Sequence, residues 1–163
     1  MQIRKVRPAD AAAIAAIYNH YVLETAVSFE LQPVAVQEMR RRIAEISRAY
    51  PYYVCEEGGA VVGYCYAHAW KERPAYAQTF ETTVYVAPGC RRRGIGRLLM
   101  ERLVADCRAA GCHALVACIT AENLQSVAFH SRLGFARASL FRQVGRKFGR
   151  WLDVVDYEML LGE

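Results

Sequence analysis

The stretch Val84-Tyr85-Val86-Ala87-Pro88-Gly89-Cys90-Arg91-Arg92-Arg93-Gly94-Ile95-Gly96-Arg97 constrains this chain more than any other. β-Branched and aromatic residues, which favour a strand, lead into a Pro-Gly turn. A basic, glycine-containing loop follows, and then a run with helical periodicity. This order places Arg91 to Gly96 at the start of a helix. Backbone N–H groups there lack intrahelical partners and carry partial positive charge, so they bind phosphate. Gly94 and Gly96 have no Cβ, which lets an anion come close to the main chain. The arginines add full charge. Arginine triplets also occur in plain solvated loops, but the glycine spacing at a helix start favours a diphosphate cradle.

The chain has 163 residues, 54% hydrophobic and 23% charged. That is the profile of a folded domain and not of a disordered chain, and we expect one domain over residues 1–163. The formal charge of +5 admits an anionic ligand or nucleic acid. The charge gathers at Arg40–Arg42, Arg91–Arg93 and residues 142–150 instead of forming one stripe. Without a nucleic-acid reading motif or an aromatic–basic array, no nucleic-acid partner is expected. Arg40–Arg42 reads as a solvated helix face.

Six cysteines are present. None forms a C-x-x-C pair, which disfavours a zinc ribbon or a thioredoxin-type site. Most lie in apolar runs, where Cys acts as a small buried hydrophobe. His20, His68 and His113 show no ligand spacing with Cys or carboxylates, so no metal is expected. Met1–Lys5 lacks the apolar core of a signal peptide. No apolar run approaches membrane-spanning length. The expectation is a cytoplasmic protein with reduced thiols and no membrane partner.

Periodicity predicts an edge strand at 2–7 and a helix opened by Pro8 and Asp10, with Ile14, Ile17, Tyr18 and Tyr21 on one face. A loop carries Phe29 beside Glu30. A second helix is predicted from Pro33 to Tyr50. Strands at 52–57 and 60–70 flank a Gly58-Gly59 hairpin turn. The strand at 78–87 alternates Phe80, Thr82, Val84 and Val86 against Thr79, Glu81, Thr83 and Tyr85. The helix after the cradle should bury Ile95, Leu98, Leu99, Leu103 and Cys107, and Gly111 should end it. The near-continuous apolar run at 113–120 reads as a strand covered on both faces. Asn123 should cap a short helix closed by Gly134. Two last strands, 135–145 and 151–161, flank a Lys147–Arg150 turn. The fold class is α/β (α+β), a mixed, mostly antiparallel sheet of about seven strands with helices on both faces.

Arg91-x-x-Gly94-x-Gly96 after a strand, Asn123-x-x-Ser126, and Leu133-Gly134-Phe135 together resemble the GNAT acetyltransferase superfamily. The resemblance covers essentially the whole chain. It is nearest the branch of phosphinothricin, methionine sulfoximine and related amino-acid N-acetyltransferases. Tyr18-Asn19-His20-Tyr21, Phe29-Glu30, Trp70-Lys71, Phe80–Val86 and Lys147–Val154 carry that nearer likeness.

The resemblance implies acetyl-CoA as co-substrate. Val84, Tyr85 and Val86 would pair with the pantetheine arm. Arg91, Arg92, Arg93, Gly94, Ile95, Gly96 and Arg97 would hold the diphosphate, and Asn123 and Ser126 would border the arm. Glu81 is implied as the base that frees the acceptor amine. Glu is disfavoured within strands, and burial would raise its pKa toward that of an amine. His130 stands where many members of the superfamily carry Tyr, and it would serve as acid toward sulfur or as base toward the amine. A packing histidine is an equal reading. A carboxylate-bearing acceptor wants a cation, for which Lys71 and Arg73 are candidates. Phe29, Trp70 and Tyr85 would supply an apolar wall beside Glu81. A homodimer is implied as well. Other acceptor amines, such as a protein N-terminus, a polyamine or an aminoglycoside, stay open, as does a non-enzymatic basic module.

Overall fold

A computed structural model describes residues 1–162. Among the described residues it has eight strands and four α-helices. Strand β1 is Gln2–Lys5, and α1 is Ala11–Glu24, entered through a short 3₁₀ turn at Pro8–Asp10. Helix α2 spans Val36–Ala49, starting three residues after Pro33. Strands β2 (Tyr52–Glu57) and β3 (Ala60–Ala69) form a hairpin, and β4 is Thr79–Val86. Helix α3 (Ile95–Ala109) follows the cradle. Then come β5 (Ala114–Thr120), α4 (Leu124–Arg132), β6 (Ala136–Arg137), β7 (Phe141–Lys147) and β8 (Arg150–Leu160).

The strands make one sheet in the order β1-β2-β3-β4-β5-β8-β6, with β7 also paired to β8. Only β4 and β5 run parallel; the other pairings are antiparallel. The predicted strand at 135–145 is two strands. Between them the Ser139 hydroxyl binds Asp156 Oδ2 at 2.9 Å and Ala138 N–H donates to the Asp156 carbonyl. These bonds divert the chain before β7 rejoins β8.

The period of two divides the core between the faces. Tyr53 and Cys55 of β2 pack under α3 with Ile95, Leu99, Met100, Leu103 and Cys107. Tyr52 and Val54 pack on the other face, with Ile14 and Ile17 of α1 and Met39 and Ile43 of α2. Leu98 departs from the predicted buried stripe of α3. It is 43% exposed, while Met100 is fully buried. Within the Arg40–Arg42 run of α2, Arg41 pairs with Glu38 and Glu45 on its own helix. Arg42 reaches out to Glu30 at 2.8 Å and so ties α2 to the loop after α1.

Candidate active site

Strands β4 and β5 are paired only from Thr79–Ala114 to Glu81–Val116, although β4 runs on to Val86 and β5 to Thr120. The Thr82 hydroxyl donates to the Val116 carbonyl at 3.3 Å, at the fork. Beyond it the strands part. Ala87 N–H donates to the Val62 carbonyl, so alternation turns the backbone of Tyr85 and Thr83 toward β3 and that of Val84 and Val86 toward the gap. A cavity of about 1030 Å³ fills this opening and continues to the start of α3.

At the α3 end, Gly94 is the N-cap, with φ of +80° and no side-chain cap bond. That left-handed conformation suits glycine. The first helical bond of α3 runs from Leu98 N–H to the Gly94 carbonyl at 3.1 Å. The amides of Ile95, Gly96 and Arg97 therefore have no intrahelical acceptor. Arg91, Arg92, Gly94, Ile95, Gly96 and Arg97 all line the cavity. The Arg91 guanidinium lies 5.2 Å from the Tyr21 ring centre. Arg93 turns away from the cavity and pairs with Glu57 at 2.8 Å. This donor set fits a diphosphate: free helix-start amides beside arginines, with no side chain on Gly94 to block approach.

Glu81 lines the same cavity near the fork. Burial pushes its carboxyl above the usual range, the neighbouring Asp156 adds to the rise, and His68 opposes it. His68 stands directly opposite on β3, with Nε2 at 3.8 Å from Glu81 Oε1. Cys118 of β5 also opens into the cavity and is exposed, where the apolar run predicted a strand covered on both faces. The parting of β4 from β5 uncovers that face. The other cysteines of such runs, Cys55, Cys65, Cys107 and Cys112, are buried as expected.

The loop between α1 and α2 walls the Glu81 end. It is held at several points. Asn19 bonds both the N–H and the carbonyl of Val34. The Thr120 hydroxyl donates to the Ala26 carbonyl at 2.7 Å, and the buried Lys147 ammonium donates to the Ser28 carbonyl at 2.6 Å. Tyr18 and Ser28 share a hydrogen bond of 2.8 Å. The loop thereby presents Val27, Ser28 and Phe29 to the cavity, facing Tyr85 and Glu81.

On the opposite wall, Asn123 caps α4 by accepting from Ser126 N–H at 3.2 Å. His130 is buried between the rings of Phe129 and Phe135. Its Nδ1 lies 2.9 Å from the Ser126 carbonyl, which can only accept, so Nδ1 carries the proton and Nε2 the lone pair. Burial also pushes its pKa down.

The structure thus brings Phe29, Glu81, Val84, Tyr85, Val86, Asn123, Ser126 and His130 to one cavity with the cradle. It does not bring Lys71 or Arg73 there. Lys71 lies over the Trp70 ring at 4.0 Å on the loop before β4, and Lys71 and Arg73 are both exposed. Sequence reasoning passed over His68 and Cys118, and took Tyr18 and Tyr21 as packing. Cross-strand register places His68 at the site, and no local motif announces it.

A sheet parted between two parallel strands, a helix start ready for a diphosphate and a half-buried carboxylate on the strand wall define an acyltransferase site for a long, anionic acyl carrier. The family model described as "Acetyltransferase (GNAT) domain" matches residues 3–155. The L-amino acid N-acyltransferase MnaT of Escherichia coli is 42% identical, covering 100% of this chain and 95% of its own. The phosphinothricin N-acetyltransferase of Alcaligenes faecalis is 41% identical over 94% of this chain and 79% of its own. The structure of YncA from Salmonella typhimurium with its cofactor acetyl-CoA superposes with a TM-score of 0.97 at 38% identity, covering 100% of this chain and 95% of that one. The chain belongs to the GNAT family of acetyltransferases.

Among the described residues, no helix is long and apolar enough to cross a membrane. Nor does any group of three or more His, Cys, Asp or Glu residues among them stand ready to hold a metal ion.

Proposed function

We propose that this chain transfers an acetyl group from acetyl-CoA to the α-amine of a small amino acid or amino-acid analogue of the methionine, methionine sulfoximine or phosphinothricin kind. The observation that carries the reading is Glu81, a half-buried carboxylate on the wall of the opening that leads from the cradle. Acetyl-CoA supplies an activated thioester. The exposed backbone edge at Val84 and Val86 receives the pantetheine arm as an added strand. The free amides at Ile95, Gly96 and Arg97 receive the diphosphate, with Asn123 and Ser126 across the arm.

Glu81 takes a proton from the acceptor ammonium, and its raised pKa lessens the mismatch in that transfer. In this reading a backbone N–H near Val84 stabilises the oxyanion. His130 is held neutral, with its one N–H spent on Ser126 and the Nε2 lone pair free, which leaves it no proton for the departing sulfur; the base in this reading is Glu81. Transfer is direct. Desolvation within the cavity wall and the nearby carboxylates Glu81 and Asp156 push the Cys118 thiol up to about 12 although its face opens into the cavity, so it is not a thiolate that could carry the acetyl group. Phe29, Tyr18 and Tyr85 wall the acceptor.

A thiol-release assay with acetyl-CoA tests this across methionine sulfoximine, phosphinothricin, methionine and spermidine. Turnover with the amino-acid group is expected. Turnover with spermidine alone would sink the acceptor assignment.

A homodimer is the assembly we propose. Its support is the row of exposed apolar side chains Phe141, Val144, Phe148 and Trp151 on the β7–β8 hairpin; sedimentation equilibrium checks it. Six free cysteines support a reducing, cytoplasmic location.

A further inference from the structure

One titratable group beside Glu81 has no part in the chemistry described so far. His68 sits across from Glu81 in the β3–β4 register, with Nε2 at 3.8 Å from Glu81 Oε1. Its Nδ1 lies 2.9 Å from the Ala69 carbonyl, on the exposed side of the strand end. A carbonyl only accepts, so Nδ1 carries the proton and the Nε2 lone pair is turned toward Glu81. The ring is held in this orientation by its bond to Ala69 and by the Tyr66 ring, 5.7 Å away.

We propose that His68 is a positioning residue that accepts, at Nε2, the proton Glu81 has taken from the acceptor ammonium and passes a proton to solvent. The proposal rests on Glu81 as the base. The overall reaction of an ammonium with a thioester gives an amide, a thiol and one surplus proton. Glu81 forms an O–H bond as the N–H bond of the ammonium breaks. That O–H bond then breaks as Nε2–H forms, which restores the carboxylate and leaves an imidazolium beside it. The imidazolium then releases its Nε2 proton to water, which restores the Nδ1–H tautomer bonded to Ala69. At 3.8 Å the pair is too long for a direct hydrogen bond, and one bridging water or a turn of the Glu81 carboxyl closes it.

Other groups around the pair do not compete for this role. Asp156 from β8 is a second carboxylate facing Glu81, and Cys118 from β5 is a thiol held protonated. Tyr66 from β3 is a phenol that burial keeps protonated, and Tyr18 from α1 is likewise pushed up by burial. Among these groups His68 alone is an imidazole with a lone pair turned toward Glu81.

The test compares the wild type with His68→Ala and His68→Gln in acetyl transfer to methionine sulfoximine across pH. His68→Ala is expected to lower kcat by up to about 100-fold, the lower end of what a positioned proton-transfer group contributes. The acidic limb of kcat/KM should move to higher pH, because His68 opposes the rise in the Glu81 pKa and its removal takes that opposition away. Free imidazole should restore part of the lost kcat, and KM for acetyl-CoA should stay unchanged. Wild-type rates in both variants, or a loss with neither a limb shift nor imidazole rescue, would overturn the proposal.

A second arm needs no turnover. Carboxyl ¹³C titration of Glu81, assigned with Glu81→Gln, should show a higher midpoint in His68→Ala than in the wild type. An unchanged midpoint would overturn the pairing even if the wild type acetylated none of the amino acids, which would instead remove the proposed function.

Discussion

The Tyr21 hydroxyl donates a 2.5 Å hydrogen bond to the Val86 carbonyl, on the strand edge that faces the gap. The same hydroxyl accepts from Arg91 Nε at 3.3 Å, and the Tyr21 ring packs 4.9 Å from that of Tyr85. One side chain of α1 thus joins the parted strand, the cradle and the acceptor wall. Tyr21→Phe removes the hydroxyl and keeps the ring. The expected cost is about 0.5–1.5 kcal/mol of stability, the usual net value of such a bond. Urea unfolding of the two proteins measures it. Affinity for acetyl-CoA, read by calorimetry, should change as well, because Val86 and Arg91 both border the carrier. Unchanged stability and affinity would reduce Tyr21 to packing.

Glu81→Gln separates chemistry from binding. The amide is nearly the same shape and cannot take a proton. We expect kcat to fall by roughly 10²–10⁴-fold, the range for a positioned base, while the acetyl-CoA dissociation constant stays within error. The pH dependence follows from the raised pKa. Activity of the wild type should fall as pH drops through that raised value and Glu81 becomes protonated. Stability takes the opposite sign. A carboxyl whose folded pKa lies above its unfolded one favours the folded state most when protonated, and that benefit is lost as pH rises through the folded pKa. At neutral pH the buried charge is therefore a burden, and Glu81→Gln should melt higher than the wild type. A lower melting temperature with intact folding would contradict the burial of this carboxylate.

Much of this arrangement was legible in the chain because local rules and the fold agree. The cradle announces itself through Gly94 and the residues that follow it, and the face carrying Glu81 and Tyr85 follows from the period of two along β4. Asn123 and Gly134 mark the ends of α4 by capping chemistry alone. What could not be read is what depends on pairing. His68 meets Glu81 only through the register of β3 on β4, and Cys118 is uncovered only because β5 leaves β4 after Val116. The break between β6 and β7 depends on Ser139 finding Asp156, seventeen positions away along the chain. Lys71 and Arg73 looked suitable for an acceptor carboxylate by charge and proximity in sequence. The aromatic ring of Trp70 instead holds Lys71 outside the cavity.

Gly63 on β3 lies beneath the first turn of α3. A Cβ there would stand 3.1 Å from both Ile95 Cγ2 and the Tyr85 carbonyl oxygen, and 3.3 Å from Leu99 Cδ1. Those contacts are tight, and one of them is backbone. Gly63→Ala must lift the start of α3 off the sheet or shift β4. Overpacking of this kind costs about 1–3 kcal/mol, measurable by urea unfolding. The same lift moves the free amides of Ile95 and Gly96, so KM for acetyl-CoA should rise while KM for the acceptor changes less. An acceptor-only effect would place the cradle elsewhere.

Gly145 on β7 makes the corresponding contact at the acceptor end. A Cβ at this position would run into the Phe29 ring. The loop behind Phe29 cannot retreat easily, because Lys147 holds the Ser28 carbonyl, Thr120 holds Ala26 and Asn19 holds Val34. Gly145→Ala should therefore swing the ring and leave the backbone in place, narrowing the cavity beside Tyr85. Long side chains on the acceptor lose room first, so KM for methionine sulfoximine should rise severalfold while an acceptor as small as alanine is little affected. KM for acetyl-CoA should not move, since the cradle lies at the far end of the opening. Steady-state kinetics with the two acceptors decides the matter. Equal penalties for both acceptors would mean that Phe29 does not set the size limit.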